Sequence, residues 1–166
     1  MRSIILIAHN LRSCHNVGSL LRTADGLGVS KVYLTGYTPY PNYTGDSRLP
    51  HISAKLTRQI QKTALGAEIT VNWHHETDVL STITHLQTDG YVIAALEQTP
   101  DALELASYKP DTKIAIIVGR ETHGIEPEVI AVCDKVLEIP MRGKKESLNV
   151  VQAAAIALYH CQYVRM

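Results

Sequence analysis

Short apolar runs bounded by turn-forming residues recur along the chain. Their lengths and their content of β-branched residues are typical of strands that are buried on both faces. The segments between them have the character of helices. The predicted strands cover residues 3–8, 31–36, 68–73, 91–96, 113–119 and 135–140, and the predicted helices cover 15–27, 53–65, 76–88, 126–133 and 147–162. This alternation predicts an α/β domain with a mainly parallel sheet flanked by helices.

Residues 36–53 break this rhythm. The segment contains three prolines, three tyrosines and two glycines, which predicts a long structured loop rather than a helix or a strand. Long loops in compact domains are often functional. An exposed connection whose tyrosines pack on the base of the loop explains the composition equally well.

The chain has 166 residues, which suits one domain spanning 1–166. Its 16 Lys plus Arg equal its 16 Asp plus Glu, so the net charge neither requires nor excludes a polyanionic partner. Cys14, Cys133 and Cys161 are widely spaced and form no CxxC pair, so we expect neither a disulfide framework nor a metal site. No apolar run reaches the length of a signal-peptide core or a membrane span. We therefore expect a soluble, cytoplasmic protein with no membrane association.

The common phosphate-binding signatures are absent after the first predicted strand. The chain continues there with HNLRSCHNVGS, which contains neither GxGxxG nor GxxxxGK[ST]. This disfavours an ordinary dinucleotide-binding or P-loop protein.

Two glycine-containing loops follow later strands instead. Gly119 comes directly after the fifth run, and Glu121 follows where open α/β sheets place ligands. A tight turn with a solvated Glu121 explains that loop equally well. In the second loop, Ser147 is placed to cap a helix that carries Asn149 in its first turn. If the two strands are neighbours, the loops form a pocket of backbone polar groups that suits a heterocycle such as adenine.

A polar edge is predicted on the first helix. Asn16 and Arg22 lie six residues apart, nearly two turns, with Ser19 between them. A lone arginine on a helix is usually a surface residue, but the three side chains together predict an anion-binding edge.

Taken in order, these three clusters resemble the motifs of SPOUT-class methyltransferases, in particular the TrmH-like RNA ribose methyltransferases. HNVGSLLRTADGLGV (15–29) is similar to the first motif at Asn16, Gly18 and Arg22. IIVGRETHGI (116–125) is similar to the second, and IPMRGKKESLNVVQAAAIALY (139–159) to the third. The chain departs from the family pattern at Arg120, Thr122, His123 and Val151.

The resemblance implies a fold and an activity. The fold would be an α/β domain with a deep C-terminal trefoil knot, and the protein would be a homodimer that uses S-adenosylmethionine. The reaction would transfer a methyl group to a ribose 2′-hydroxyl of RNA, with tRNA as the first candidate because the single-domain chain is similar to the tRNA wobble-ribose methyltransferases. Methylation of rRNA and a non-catalytic RNA-binding dimer are the alternatives, and methylation of a base is disfavoured.

The resemblance also implies roles for individual residues. The implied cofactor-binding residues are Leu96, Gly119, Glu121, Ile139, Met141 and Leu148. The implied catalytic residues are Arg22, Asn16, Glu121, Ser147 and Asn149. We expect Arg22 to stabilise the developing alkoxide rather than to act as a base, because a guanidinium stays protonated in proteins.

The resemblance to an RNA-modifying enzyme gives the remaining basic and apolar residues candidate roles. The tyrosines of residues 36–53 could stack on unpaired bases. The apolar helix from Val150 to Tyr159 would lie between its own sheet and a second subunit, so we expect a charge at Ala154 or Leu158 to yield monomers or insoluble protein. Candidate contacts to the RNA backbone are Arg12, Arg48, Lys55, Arg58, Arg142, Lys144 and Lys145.

Overall fold

The computed structural model describes residues 2–164 of the chain. The described residues form seven strands and six helices, where the apolar runs predict six strands and five helices. The strands are β1 Ser3–His9, β2 Lys31–Thr35, β3 Trp73–Glu76, β4 Val92–Leu96, β5 Leu103–Glu104, β6 Lys113–Val118 and β7 Lys135–Glu138. The helices are α1 Cys14–Gly26, α2 Pro50–Ala64, α3 Ala67–Thr70, α4 Val79–Thr88, α5 Pro127–Ile130 and α6 Val150–Tyr163, and a 3₁₀ turn covers Leu105–Ser107.

All seven strands form one sheet in the order β3-β2-β1-β6-β4-β7-β5. Every hydrogen-bonded pair is parallel, so the carboxyl ends of the strands meet at one edge. The sheet is buried on both faces. Ile4 and Leu6 of β1 face a core shared with α1 and α6, whereas Ile5 and Ile7 face a core shared with α4. The predicted α/β class with a parallel sheet flanked by helices is therefore confirmed.

The strand predicted at residues 68–73 is wrong. Leu65 and Gly66 both have positive φ, which ends α2 and allows α3 to begin at Ala67. The carboxylate of Glu68 accepts a hydrogen bond from the backbone N–H of Gly66 (3.0 Å), and the indole of Trp73 donates to the Glu68 carbonyl (2.9 Å). These local hydrogen bonds stabilise a helical turn where the apolar run predicts a strand. The strand β3 starts only at Trp73.

Other predicted boundaries also differ. The helix expected from residue 147 starts at Val150, because Asn149 rather than Ser147 is its N-cap and accepts from the Val151 N–H (2.9 Å). The helix α5 ends after one turn at Ile130. Pro50 starts α2 inside the predicted loop. The two-residue strand β5 was not predicted, because it does not lie in an apolar run.

The last helix has one buried and one exposed face. Ala154 and Leu158 are fully buried in the core of their own chain, so a charge there would disrupt that core. Of the two expected outcomes, monomers and insoluble protein, this burial favours insoluble protein. The exposed face carries Ile156, Tyr159 and Tyr163. The rings of the two tyrosines lie 4.8 Å apart.

Within residues 2–164, no helix is both long enough and apolar enough to cross a bilayer. The three cysteines are free. The same part of the chain contains no group of three or more His, Cys, Asp or Glu side chains placed to hold a metal ion.

Candidate active site

The two glycine loops predicted from the sequence meet at the carboxyl edge of the sheet, although their strands are not neighbours. Strand β4 lies between β6 and β7 and pairs with both. After β5, at one edge of the sheet, the chain returns to form β6, which lies between β1 and β4. It then crosses β4 to form β7 on the other side. Open α/β sheets bind ligands at such a change of direction. The site is therefore built from the ends of three adjacent strands.

A cavity of about 360 Å³ opens at this point, within the range of small-molecule sites. All the residues that the resemblance assigns to cofactor binding line it, and so does Ser147. Asn16, Arg22 and Asn149 do not line it. The six predicted cofactor-binding residues in the wall are Leu96, Gly119, Glu121, Ile139, Met141 and Leu148.

The loop after β6 is closely folded on itself. Arg120 and Gly124 exchange two backbone hydrogen bonds of 3.0 Å each. A Cβ at Gly119 would lie 2.5 Å from the Gly124 carbonyl oxygen and 2.7 Å from Cγ1 of Ile125. Gly124 itself has a φ of +64°, and a Cβ there would collide with the carboxylate of Glu97. Both glycines are therefore required by the close approach of backbone to its surroundings.

Glu97 is a site residue that sequence reasoning missed. It follows β4 directly and lines the cavity. One carboxylate oxygen accepts from the Ile125 N–H and the other from the Gln98 N–H, each at 3.0 Å. Glu97 thus ties the end of β4 to the loop after β6. The sequence signal that could have identified Glu97 was a carboxylate directly after a buried strand. Glu97 lies in none of the three motifs.

The first helix reaches the cavity through Asn16. Its side-chain amide donates to a carboxylate oxygen of Glu121 at 2.9 Å, which joins residues 105 positions apart in the chain. The helix is held at its start by Ser13, whose hydroxyl accepts from the Asn16 N–H (3.2 Å). The structure therefore brings the first and second motifs into direct contact.

Arg22 lies apart from this contact. It is exposed on α1 and takes part in no ion pair within residues 2–164. At 1.5 Å per residue it stands about 9 Å further along the helix than Asn16. The guanidinium is therefore exposed outside the set of residues that line the cavity.

Residues 3–159 match the SpoU rRNA Methylase family. The chain belongs to this family. A protein of Staphylococcus aureus (strain MSSA476) that is assigned by name to the TrmH family of tRNA/rRNA methyltransferases is 32% identical over 157 residues. That match covers 95% of this chain and 57% of the relative, so the chain spans a little over half the length of the curated relatives it matches. The resemblance drawn from the three motifs is confirmed at the level of the family.

Solved structures show the same fold. An AdoMet-bound rRNA methyltransferase from Sinorhizobium meliloti superposes with a TM-score of 0.78 at 19% identity, over 96% of this chain and 55% of that one. An RNA 2′-O ribose methyltransferase superposes with a TM-score of 0.78 at 23% identity, again over 96% and 55%.

This SpoU-family chain carries a buried polar cluster beside the cavity that sequence reasoning also missed. His9, at the end of β1, has Nδ1 2.9 Å from the Thr35 hydroxyl and Nε2 3.2 Å from a carboxylate oxygen of Glu126. The Asn10 amide donates to the other oxygen of Glu126 (2.9 Å). Arg120, which lines the cavity, places Nη2 3.3 Å from that same oxygen. The cluster thus fixes the side chain of Arg120, one of the positions where the chain departs from the family pattern.

The protonation states in this cluster follow from burial. Burial lowers the pKa of His9 below its usual 6.5, although Glu126 opposes that shift. Burial acts to raise the pKa of Glu126, but the hydrogen bonds from Asn10 and from the backbone, together with His9 and Arg120, outweigh it, and that pKa lies below its usual 4.5. At neutral pH the pair is therefore a carboxylate facing a neutral imidazole.

The two other departures in this loop, Thr122 and His123, are exposed at the cavity wall, with the hydroxyl and Nδ1 2.7 Å apart.

Arg48, one of the predicted RNA-contacting residues of this SpoU-family protein, forms its hydrogen bonds within its own chain. Arg48 donates to both carboxylate oxygens of Asp46, the shortest bond being 2.6 Å, and to the carbonyls of Tyr40 and Pro41 at 3.1 Å. The bond from Arg48 also holds the pKa of Asp46 below its ordinary value. Arg48 therefore organises its loop, and the expectation that it contacts RNA directly is not supported by its geometry. The other basic candidates are exposed: Arg12, Lys55, Arg58, Arg142, Lys144 and Lys145.

Proposed function

We propose that this SpoU-family protein is an RNA methyltransferase that uses S-adenosylmethionine and methylates a ribose 2′-hydroxyl, with tRNA as its first candidate substrate. The observation that carries the proposal is the contact between Asn16 and Glu121 at the mouth of the cavity. It joins the helix bearing Arg22 to a cavity lined by every predicted cofactor residue. The family membership and the AdoMet-bound neighbour support the same assignment.

The cavity suits S-adenosylmethionine in shape and charge. Leu96, Ile139 and Leu148 supply apolar walls for an adenine, and Gly119 adds backbone to the wall without a side chain. Three carboxylates, those of Glu97, Glu121 and Glu138, also line the cavity. Arg120 is its only guanidinium or ammonium group among the described residues. A cavity with excess negative charge favours a cationic sulfonium. When bound, the cofactor supplies an electrophilic methyl group.

The protein's part in the reaction is alignment and charge stabilisation. Methyl transfer to a hydroxyl is an in-line displacement, so holding the two reactants at contact distance supplies much of the acceleration. The acceptor ribose would lie between the cavity mouth and α1, where the exposed Arg22 can stabilise the oxygen as its proton leaves. Asn16 and Glu121 hold the helix against the loop, and Asn149 holds the start of α6. Ser147 is exposed in the cavity wall, and we assign it a contact with the substrate.

Replacing Arg22 tests this assignment. Arg22→Ala and Arg22→Lys should bind S-adenosylmethionine in calorimetry as the unchanged protein does, and should lose methyl transfer to tRNA by roughly 100-fold or more. The matched control is Arg58→Ala on the neighbouring helix, which should change RNA affinity but not the turnover number. Near-normal turnover in both Arg22 variants would refute the catalytic role.

A homodimer is part of the proposal. The exposed apolar face of α6 offers a surface that a second copy would cover, since Ile156, Tyr159 and Tyr163 are each about half exposed in the single chain. The proposal also includes a cytoplasmic location and a C-terminal trefoil knot. The insertion of β6 between β1 and β4, followed by the crossing to β7, is compatible with such threading.

The alternative is a non-catalytic RNA-binding dimer, and the position of Arg22 outside the cavity lining is the observation in its favour. Calorimetry with S-adenosylmethionine, followed by transfer of a labelled methyl group to tRNA and to rRNA, separates the candidates. Cofactor binding with transfer to neither RNA would favour the alternative. Transfer to rRNA alone would replace tRNA as the substrate, and alkaline hydrolysis would reveal whether the ribose is modified.

A further inference from the structure

A second cavity, of about 440 Å³, opens on the same edge of the sheet beyond the ends of β2 and β3. Its wall is mainly apolar and contains aromatic rings and two arginines, and nothing in the proposed transfer reaction uses it. The side chains that matter for its chemistry are Arg12, Tyr37, Tyr40, Arg48 and His75. Aromatic rings beside guanidinium groups are the combination that binds unpaired nucleotides, through stacking and phosphate contacts.

The structure distinguishes the tyrosines of this loop. The Tyr40 ring has the His75 ring stacked 3.9 Å away and the Arg48 guanidinium carbon 3.5 Å from its centroid, so its two faces are occupied. Tyr43 packs edge-on against Trp73, with centroids 6.3 Å apart. These two rings build the loop. Tyr37 is 50% exposed and forms no ring pair within residues 2–164.

The backbone that carries Tyr37 is held on both sides. The Tyr37 N–H donates to the Asn10 side chain (3.1 Å), and Nε2 of His75 donates to the Gly36 carbonyl (3.1 Å). The next residue, Thr38, donates through its hydroxyl to the Ala8 carbonyl (2.9 Å) and accepts from the Leu11 N–H (3.0 Å). A half-exposed ring on a fixed backbone loses little freedom when it binds a ligand.

Charge and position point to RNA as the ligand. Arg12 is exposed, lines the same cavity and has no ion-pair partner in the described part of the chain. Strand β1 separates β2 from β6, so Tyr37 lies roughly 10 Å from the loop after β6, at two strand spacings. Asn10 bridges that gap, since it contacts both the Tyr37 N–H and Glu126, which holds Arg120. The second cavity is therefore the neighbour of the proposed methyl-transfer site.

We propose that Tyr37 stacks on an unpaired base of the substrate RNA, next to the nucleotide that is methylated, while Arg12 contacts the phosphate between them. The inference rests on the proposed function for the identity of the RNA as substrate. It assigns the second cavity a ligand class, a single-stranded nucleotide, and divides the loop tyrosines into one that binds and two that support it.

The test uses a fluorescein-labelled 12-nucleotide oligouridine and fluorescence anisotropy. Tyr37→Ala should weaken binding by roughly 5- to 100-fold, as expected for one lost stacking contact, while Tyr37→Trp should retain it. The matched control is Tyr43→Ala, an equally exposed tyrosine of the same loop that lies outside the cavity wall, and it should change thermal stability but not affinity.

The salt dependence of binding separates stacking from phosphate contact. Arg12→Gln should reduce the slope of log affinity against log salt concentration by about 0.7, whereas Tyr37→Ala should leave the slope unchanged. A folded Tyr37→Ala variant that binds like the unchanged protein would overturn the inference, and so would an unchanged protein that does not bind oligouridine. Failure of the proposed function would appear separately, as absent binding of S-adenosylmethionine and absent methyl transfer.

Discussion

Replacing Gly119 by alanine probes the steric basis of the proposed cofactor cavity. The added Cβ would lie 2.5 Å from the carbonyl oxygen of Gly124, where ordinary contact begins at 3.4 Å. That oxygen belongs to the backbone and accepts from the Arg120 N–H, so it cannot rotate away as a side chain does. The loop between residues 120 and 124 must retreat by about 0.9 Å.

The size of the effect follows from that displacement. Overpacking of this kind costs about 1–3 kcal/mol of folding free energy. The same loop forms one wall of the cavity, and a shift of about 1 Å in a binding wall costs up to 100-fold in function. We therefore expect Gly119→Ala to fold, to lose about 1–3 kcal/mol of stability, and to bind S-adenosylmethionine at least 10-fold more weakly.

Urea unfolding and calorimetry with S-adenosylmethionine measure the two effects. The chain provides a matched control in the other glycine loop, because Gly143 has no heavy atom within 4 Å of an added Cβ and no positive φ. Gly143→Ala should therefore leave affinity unchanged and stability equal or slightly raised. Unaltered stability and affinity in Gly119→Ala would refute the steric reasoning, and equal losses in both variants would show that any change in these loops is damaging.

Three further predictions concern other parts of the molecule. In a double-mutant cycle of Asn16→Ala and Glu121→Ala, the two sites should couple by about 1 kcal/mol in stability, because each removes one end of a 2.9 Å hydrogen bond. The free energy of unfolding should fall as pH drops below 6.5, because folding lowers the pKa of His9 and the folded chain therefore binds that proton less readily than the unfolded chain. His9→Gln should weaken this pH dependence, as measured by urea unfolding at several pH values. Ile156→Glu and Tyr159→Glu, on the exposed face of α6, should yield folded monomers in sedimentation.

Each of these has a result that contradicts it. Strictly additive losses of unfolding free energy in the double mutant would mean that the hydrogen bond between Asn16 and Glu121 does not contribute to stability. An unaltered pH dependence in a folded His9→Gln variant would exclude His9 as the titrating group. For the dimer, the control is Ala154→Glu on the buried face, which should unfold the protein; dimers that persist with charges at Ile156 and Tyr159 would place the subunit contact elsewhere.

Local pattern was sufficient for the fold class. The buried aliphatic runs, such as residues 3–8 and 113–119, need burial on both faces whatever the rest of the chain does, which makes a parallel sheet the natural solution. The pattern failed at residues 68–73, where two positive-φ positions and the side chain of Glu68 stabilise a helical turn. An apolar run alone cannot distinguish such a turn from a strand.

The motifs located the cavity residues, but their contacts required the fold. The order of Asn16, Gly119 and Leu148 along the chain indicated the family, because each motif is a local string. That Asn16 bonds to Glu121, and that Glu97 clasps the loop after β6, depends on strand order, which brings together segments far apart in sequence.

The sequence by itself indicated the α/β class, the family and six residues that line one cavity. Only the tertiary structure decided that Gly119 is sterically required while Gly143 is not, and that the Tyr37 ring is half exposed while both faces of the Tyr40 ring are covered. It also placed Arg22 outside the cavity. The physical reason is the same in each case: these properties depend on which atoms lie within a few ångströms across the fold, and neighbours in space are not neighbours in the chain.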